Sequence, residues 1–515
     1  MTRSMAPVPA PTRADPAPML SIVRARRIWS LVLVSFLAAA CVNGDPGVTA
    51  TRSREILDRT PLIPTESTSP GDTTPPDTNP IPVEAGIIDF GSAKPPQSYD
   101  GFLVAAFKDI QEFWTQEFPA VYGSAFAQLA GGIFAAYPTR TEPIPGCGTD
   151  ETTFADVEGN AFYCALGDFM VYDDDQLLPS LVDELGQSAV AIVLAHEFGH
   201  AITQRADEFF SQPVILKEQQ ADCFAGSWTA HVARGEGDGI TFTDNEVRAG
   251  LFAMLKVADP VELGGQGDPN AHGTGFDRVG AFQDGFVGGA ERCKPFFDEG
   301  RNLIDIPFDF EDPNAGNLPF DTADDADIVT LIPADLARYW TEQLASVSGG
   351  FTAPTVVLFP TAGPFPPCDG ATDDQYPRNV FYCASTNQIM LDSDLGLELT
   401  SNPLLGDMAV GYLLSQGFSE AAQLALGSDL QGEPRALLDD CLTGSWVKDI
   451  VPPVPTDRVD PLTLSAGDLD EAILTALIRS DESADTNVRG SAFEKIDGFR
   501  DGVLGGFDSC TSRLG

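Results

Sequence analysis

At 515 residues the chain exceeds one ordinary domain and has room for two or three of roughly 150 residues each. Hydrophobic residues make up 43% and charged residues 21%, so most of the chain can bury a core. Acidic side chains number 76 against 30 basic ones, a net charge of −46, which leaves no basic face for a phosphate backbone and excludes nucleic-acid binding.

The first element is an export signal. Residues 28–40, IWSLVLVSFLAAA, form an apolar run behind Arg24, Arg26 and Arg27. The run is shorter than the ~20 residues a bilayer span needs, and its basic flank and small terminal residues are those of a secretory signal. It leads into Cys41, and LAAAC resembles the bacterial lipobox, with Ala38 where Leu is usual. The resemblance implies that residues 1–41 are a lipoprotein-type signal segment and that Cys41 carries lipid. The product is then a cell-membrane lipoprotein facing the extracytoplasmic side; the alternative is a secreted protein with an incidental cysteine. A start at Met19 gives a signal of ordinary length. Residues 42–95 are rich in Pro, Thr, Ser and Asp without apolar period, and predict a disordered tether.

Beyond the tether the chain repeats itself. NAFYC ending at Cys164 returns as NVFYC ending at Cys383, and DCFAGSW from Asp222 returns as DCLTGSW from Asp440. FDRVGAFQDGFVGGAERC, ending at Cys293, returns as FEKIDGFRDGVLGGFDSC, ending at Cys510. The reading is two tandem copies, 96–305 and 331–515, joined by an acidic linker at 306–330, each expected to fold alone. Setting Cys41 aside, eight cysteines remain, four per copy, as in a disulfide framework of an exported protein. Four cysteines allow three pairings; the short loops favour Cys147–Cys164 and Cys368–Cys383, leaving Cys223–Cys293 and Cys441–Cys510. Each copy is expected to be mainly α with a small β element (α+β), and neither to be a parallel sheet. The segment around Met170, Val171 and Tyr172 reads as a strand near the active helix, either a substrate-pairing edge or a structural hairpin stapled by Cys147–Cys164.

Residues 188–200, SAVAIVLAHEFGH, predict a buried helix carrying His-Glu-x-x-His. His196 and His200, at i and i+4, share one face and can reach one ion, while Glu197 is turned toward a water on that ion. The chain has only four histidines, so two at this spacing around a glutamate is a strong signal. A longer three-histidine motif needs Gly at 203 and His at 206, where Thr203 and Ala206 stand. A catalytic zinc wants a third protein ligand. KEQQADCFAGSW, from Lys217, offers one: Glu218 as the ligand, with Asp222 one turn on, behind a ligand histidine, accepting its free N–H.

HEFGH, then EQQADCFAGSW, then AHGTGFDRVGAFQDGF resembles the bacterial neutral zinc metallopeptidase family, gluzincin-like proteins with a helical catalytic core. The resemblance covers roughly residues 100–300 and extends weakly over the second copy. It implies one Zn2+ per chain on His196, His200 and Glu218, Glu197 as catalytic base, and a peptide or protein substrate. His272 lies in the family's later His-Gly-Thr-type motif; two roles stay open, a hydrogen bond to the developing oxyanion or a cap between helices. His231, near the end of a helix, reads as structural.

The second copy is expected to be degenerate. His196 falls on Gln416, Glu197 on Gly417, His200 on Glu420, Glu218 on Ala436 and His272 on Arg489, while Asp440 and the cysteines remain. The function expected is a zinc-dependent metallopeptidase outside the cytoplasmic membrane. The rival readings are a non-catalytic surface lipoprotein that binds protein or cell wall, and a zinc hydrolase acting on a cell-wall amide.

Overall fold

The computed structural model describes residues 86–514, apart from 149–150, 207–208, 210–211, 257–272, 302, 305–315, 321–325, 348–349, 403, 453–461, 466 and 480–490. The signal segment, Cys41 and most of the tether therefore lie outside the described residues. Residues 86–95, expected to end the tether, pack on the first half instead: Ile88 is buried and Asp89 bridges to Phe134. IIDF is apolar enough to dock, and Lys94 pairs with Asp174 at 2.8 Å.

The first half opens with α1 (Asp100–Tyr122); apart from a two-residue ladder between Ile144–Pro145 and Glu151–Thr152, its strands are β1 (Gly132–Ala136), β2 (Ala161–Cys164) and β3 (Phe169–Asp173). They form one sheet of order β1-β3-β2. β1 runs parallel to β3 and β2 antiparallel to it, so the sheet is mixed and carries a parallel pairing that the sequence did not suggest. Four helices follow: α2 (Leu177–Leu185), α3 (Gln187–Arg205), α4 (Val214–Ala233) and α5 (Asp244–Lys256). A further helix, α6 (Gly275–Gly288), leads to Cys293. α3 is apolar nearly all round, and it is the central buried helix.

The second half repeats this order. α7 (Ile328–Gln343) precedes β4 (Thr355–Phe359), β5 (Val380–Cys383) and β6 (Gln388–Asp392), a sheet of order β4-β6-β5 with the same mixed pairing. α8 (Ser393–Ser401), α9 (Gly406–Leu426), α10 (Glu433–Ile450), α11 (Asp468–Ile478) and α12 (Ala492–Gly505) follow. α7 begins inside the expected linker, because Asp327 caps it by accepting from Thr330 N–H. The described linker residues before it are also engaged: Leu318 N–H donates to Asp407 Oδ2 at 2.7 Å.

The repeated motifs have packing reasons. A Cβ on Gly226 would meet Phe282 O at 2.0 Å, and one on Gly285 would meet Cys223 O at 1.7 Å, so α4 and α6 cross backbone to backbone. Gly444 and Gly502 do the same for α10 and α12. The tryptophan of each Gly-Ser-Trp ties its helix to the first helix of its half: Trp228 Nε1–H donates to Asp109 at 2.7 Å, and Trp446 Nε1–H to Asp335 at 2.9 Å. Cys147–Cys164, Cys223–Cys293, Cys368–Cys383 and Cys441–Cys510 are bonded, each within its own half. Loops of 70 and 69 residues closed this way each remove unfolded-state entropy worth about 4 kcal/mol.

The halves do not have separate cores. One continuous cluster of buried apolar side chains runs from Ile88 to Cys510, with small satellite clusters at the two sheets. α6 is the seam. Phe286 packs on Phe493 with ring centroids 4.7 Å apart, and Gln283 Nε2–H donates to Phe493 O. The free N–H groups of Gly275 and Phe276 at the start of α6 are met by the Asp470 carboxylate from α11. No helix among the described residues is long and apolar enough to cross a membrane.

Candidate metal centre

α3 and α4 pack side by side, and a Cβ on Gly199 would meet Ala221 Cα at 2.8 Å, so the two helices touch beside the histidines. His196 and His200 stand one turn apart on α3, with ring centroids 4.8 Å apart. Glu218, on α4, reaches both: Oε2 lies 3.2 Å from His196 Nε2 and Oε1 lies 3.4 Å from His200 Nε2. All three side chains are buried, and one ligand atom from each lies within 4.8 Å of the others.

Asp222 is one turn beyond Glu218. Its Oδ1 accepts from His196 Nδ1 at 2.6 Å, which turns Nε2 toward Glu218. Asp222 is fully buried and is itself held by Arg278 of α6, whose Nε–H and Nη2–H each donate to it at 2.9 Å. Burial opposes the Asp222 charge, but Arg278 and His196 outweigh it and hold the carboxyl below its usual range. Burial likewise pulls His196 down, and Asp222 and Glu218 outweigh it, pushing the imidazole up to about 10. His200 differs, since its Nδ1 is buried with no hydrogen-bond partner among the described residues.

Glu197 is not aimed like the other carboxylates. Its Oε1 lies 4.0 Å from His196 Nε2, while Oε2 accepts from Tyr163 N–H of β2 at 3.0 Å. Burial raises its carboxyl above the usual value, against the pull of the two histidines. β2 is an edge strand, and its outer side faces this carboxylate. Phe209 lies over the site, its ring centroid 6.1 Å from those of both His200 and Tyr163.

Two imidazole nitrogens and one carboxylate oxygen, converging from neighbouring helices, are a donor set for zinc with a coordination position left for water. The buried Asp222 that fixes the His196 ring is the support such a ligand takes. The residues present fit a zinc ion.

The sequence-predicted His196, Glu197, His200, Glu218 and Asp222 are thus brought together. His272 lies outside the described residues. His231 is at the end of α4, 3.6 Å from Asp109 and 3.3 Å from Glu236, away from the cluster. Arg278 and the backbone of Tyr163 are site residues that sequence reasoning missed. A signal for Arg278 existed: FDR in the first copy and FEK in the second both keep a cation where a buried helix turns toward the Asp-Cys motif.

The second half builds the same frame without the ligands. Asp440 is buried and receives Lys495 Nζ at 2.8 Å, as Asp222 receives Arg278. Gln416, Gly417, Glu420 and Ala436 line a cavity of about 310 Å3 at the place of the metal cluster. Glu420 is engaged by Arg435 at 2.9 Å.

Residues 96–296 match the model of the putative neutral zinc metallopeptidase family. The matched segment is the first half, which contains the whole His-Glu-x-x-His and Glu-x-x-Ala-Asp arrangement. No curated protein and no solved structure matches the chain.

Proposed function

We propose that the first half is a zinc-dependent peptidase, with one ion held by His196, His200 and Glu218 and with Glu197 as its base. The observation that carries this reading is the setting of Glu197. A purely structural zinc site needs no further carboxylate beside its ligands, yet one is held here, apart from Glu218, by a dedicated backbone donor. A zinc ion at this site supplies a Lewis acid that acidifies water and polarises a carbonyl.

The chain's own residues supply the rest. Tyr163 N–H occupies Glu197 Oε2, which leaves Oε1 to take a proton from the attacking water and return it to the leaving nitrogen. Burial raises the Glu197 carboxyl, which makes it a stronger base toward that water than a solvated glutamate. The outer edge of β2, next to Glu197, offers backbone groups to an extended peptide, which supports a peptide over a small amide as substrate. Phe209 adds an apolar wall that limits water.

The location proposed is outside the cytoplasmic membrane, held there by lipid on Cys41. Four disulfides and the basic-then-apolar segment before Cys41 support it. The second half is proposed as a non-catalytic partner, because Gln416, Gly417 and Ala436 offer no zinc ligand set. The test is cleavage of a diverse peptide library by the zinc-loaded protein, with and without a chelator. Cleavage is expected only without chelator. Zinc-loaded protein that cuts nothing, or cutting that survives complete metal removal, overturns the assignment.

A further inference from the structure

A second group of buried acids lies in the half that has no zinc ligands. Asp407 is at the start of α9, and Asp468 and Glu471 are on the first turns of α11. All three are buried, at 6%, 5% and 4% exposure, and one oxygen from each lies within 4.8 Å of the others. Among the described residues, no basic side chain pairs with any of them. Three carboxylates that close repel one another, and burial makes the repulsion stronger.

The surroundings orient these oxygens without neutralising them. Leu318 N–H holds Asp407 Oδ2, and Met408 N–H holds Glu471 Oε2. The amide of Asn317 donates to Glu471 Oε1, and Ser465 holds both oxygens of Asp468 through its N–H and hydroxyl. Gly406 is required here: its φ is +51°, and a Cβ would meet the Glu471 carboxylate at 2.1 Å. Asp407 Oδ1 is the exception to this satisfaction. It is buried and has no hydrogen-bond partner among the described residues, while Oδ2 is held by Leu318. A buried carboxylate oxygen in that condition is costly unless a cation or a proton completes it.

The first half lacks the trio. Aligned on the capping residues Thr243 and Ser465, it has Glu246 at the place of Asp468 and Ala249 at that of Glu471, and Gln187 stands in the first turn of α3 where Asp407 stands in that of α9. The feature therefore belongs to the second half alone and is not a leftover of the zinc site.

We propose that Asp407, Asp468 and Glu471 bind one hard divalent cation of the calcium class, which clamps the start of α9 to the start of α11 and to residues 317–318. An all-oxygen, all-carboxylate set selects such an ion over zinc, and calcium tolerates the irregular geometry of ligands drawn from two helices. An exported protein meets that ion at concentrations sufficient for a site of modest affinity.

The test is calcium binding to the full-length zinc-loaded protein, read by equilibrium titration and by thermal unfolding with zinc content held constant. Wild type is expected to take one calcium with saturation and to gain about 3–6 °C in Tm at millimolar calcium. Asp468→Asn is expected to lose that saturable site and its Tm gain, while zinc content and peptide cleavage stay at wild-type levels. Because the net charge of −46 attracts cations everywhere, weak unsaturable binding carries no weight. A saturable site that persists unchanged in Asp468→Asn overturns the assignment. So does a wild type with no saturable calcium site; in that case Glu471→Gln would stabilise the protein by relieving repulsion, and the trio is a proton-sharing cluster. If Asp468→Asn does not fold, Glu471→Asp replaces it, with weaker calcium binding expected and unchanged binding counting against the site.

Discussion

Gln416 donates from Nε2 to Asp440 Oδ1 over 2.7 Å, at the position where the first half sets His196 Nδ1 against Asp222 Oδ1 over 2.6 Å. Both aspartates are fully buried and both are paired with a buried cation, Lys495 or Arg278. The charge frame survives in the second half although nothing in it points at a metal. Asp440 therefore has a folding role, and Asp222 has that role and, in the proposed zinc site, one more. Asp440→Ala leaves Lys495 buried without its partner, and is expected to cost about 3–5 kcal/mol while zinc content is unchanged. Asp222→Ala is expected to cost a similar amount and also to weaken zinc binding about 10–100-fold. Chemical denaturation and competitive zinc titration on both variants separate the two roles. Equal zinc loss in both would remove the distinction.

Arg278 reaches the proposed zinc site chiefly through Asp222, with its Nη2 also 3.4 Å from His196 Nδ1. Arg278→Lys copies the second half, where Lys495 holds Asp440 with Nζ at 2.9 and 2.8 Å from its two oxygens. That variant is expected to keep zinc and most activity, losing part of the fixed two-pronged geometry. Arg278→Met leaves Asp222 charged and unpaired, and is expected to lower Tm by several degrees and to weaken zinc binding. A Met variant with wild-type zinc affinity would show that Asp222 needs no counter-ion.

Glu197 stands beside the proposed ligands, its Oε1 4.0 Å from His196 Nε2, and is proposed as the base. Glu197→Gln is expected to bind zinc with wild-type stoichiometry and to lose about 10³-fold or more in kcat, because the amide oxygen keeps the Tyr163 hydrogen bond but the amide cannot take a proton from water. Metal analysis beside single-turnover cleavage checks this. Loss of zinc from the variant would make Glu197 a ligand.

Asp277 gives a pH dependence with a definite sign. It is fully buried at the start of α6, accepting from Ile304 N–H and facing the Thr274 hydroxyl. Burial, only partly opposed by these donors and by Arg500, pushes its carboxyl up to about 6. The folded value lies above the unfolded one, so its contribution to stability is fully present below about pH 4 and is lost as pH rises through 6. Asp277→Asn is neutral throughout. It is expected to match wild type below about pH 3.5 and to become more stable than wild type by up to about 3 kcal/mol at pH 7.5. The opposite slope would mean that the ionised carboxylate is favoured by Arg500.

The site was legible in the sequence because its residues obey helical spacing. His196 and His200 share one face of α3, and Glu218 and Asp222 share one face of α4, so four contacts follow from two helices. Arg278 lies 56 residues beyond Asp222, and no local period links them; only the cation kept in both copies hinted at it. The Tyr163 contact is made by a backbone N–H, which no residue type encodes. The tandem order of elements followed from the repeated Cys, Gly and Trp motifs, whose glycines mark helix crossings. The fusion of the two cores did not, because the contacts of α6 with Phe493 and Asp470 use residues that would serve equally in a core of one half.

That fusion gives the last prediction. Asp470 of the second half accepts from Phe276 N–H at 2.9 Å and from Gly275 N–H at 3.3 Å, closing the exposed start of α6. Two residues on, the same helix carries Arg278, which holds Asp222, which orients His196. The second half is therefore connected to the metal cluster by a short run of hydrogen bonds through one helix terminus. Asp470→Ala removes the acceptor from two buried donors, and is expected to lower stability by about 1–2 kcal/mol and to weaken zinc binding by a few-fold, although Asp470 touches no ligand. Calorimetry should show one cooperative transition in wild type and in the variant, because the buried cluster is continuous across the seam. A 96–305 fragment, cut along that seam, should expose Phe276 and Phe286 and fail to hold zinc at stoichiometry. Two separate transitions, with wild-type zinc affinity in both Asp470→Ala and the fragment, would mean that the halves fold independently and that the second half does not support the metal centre.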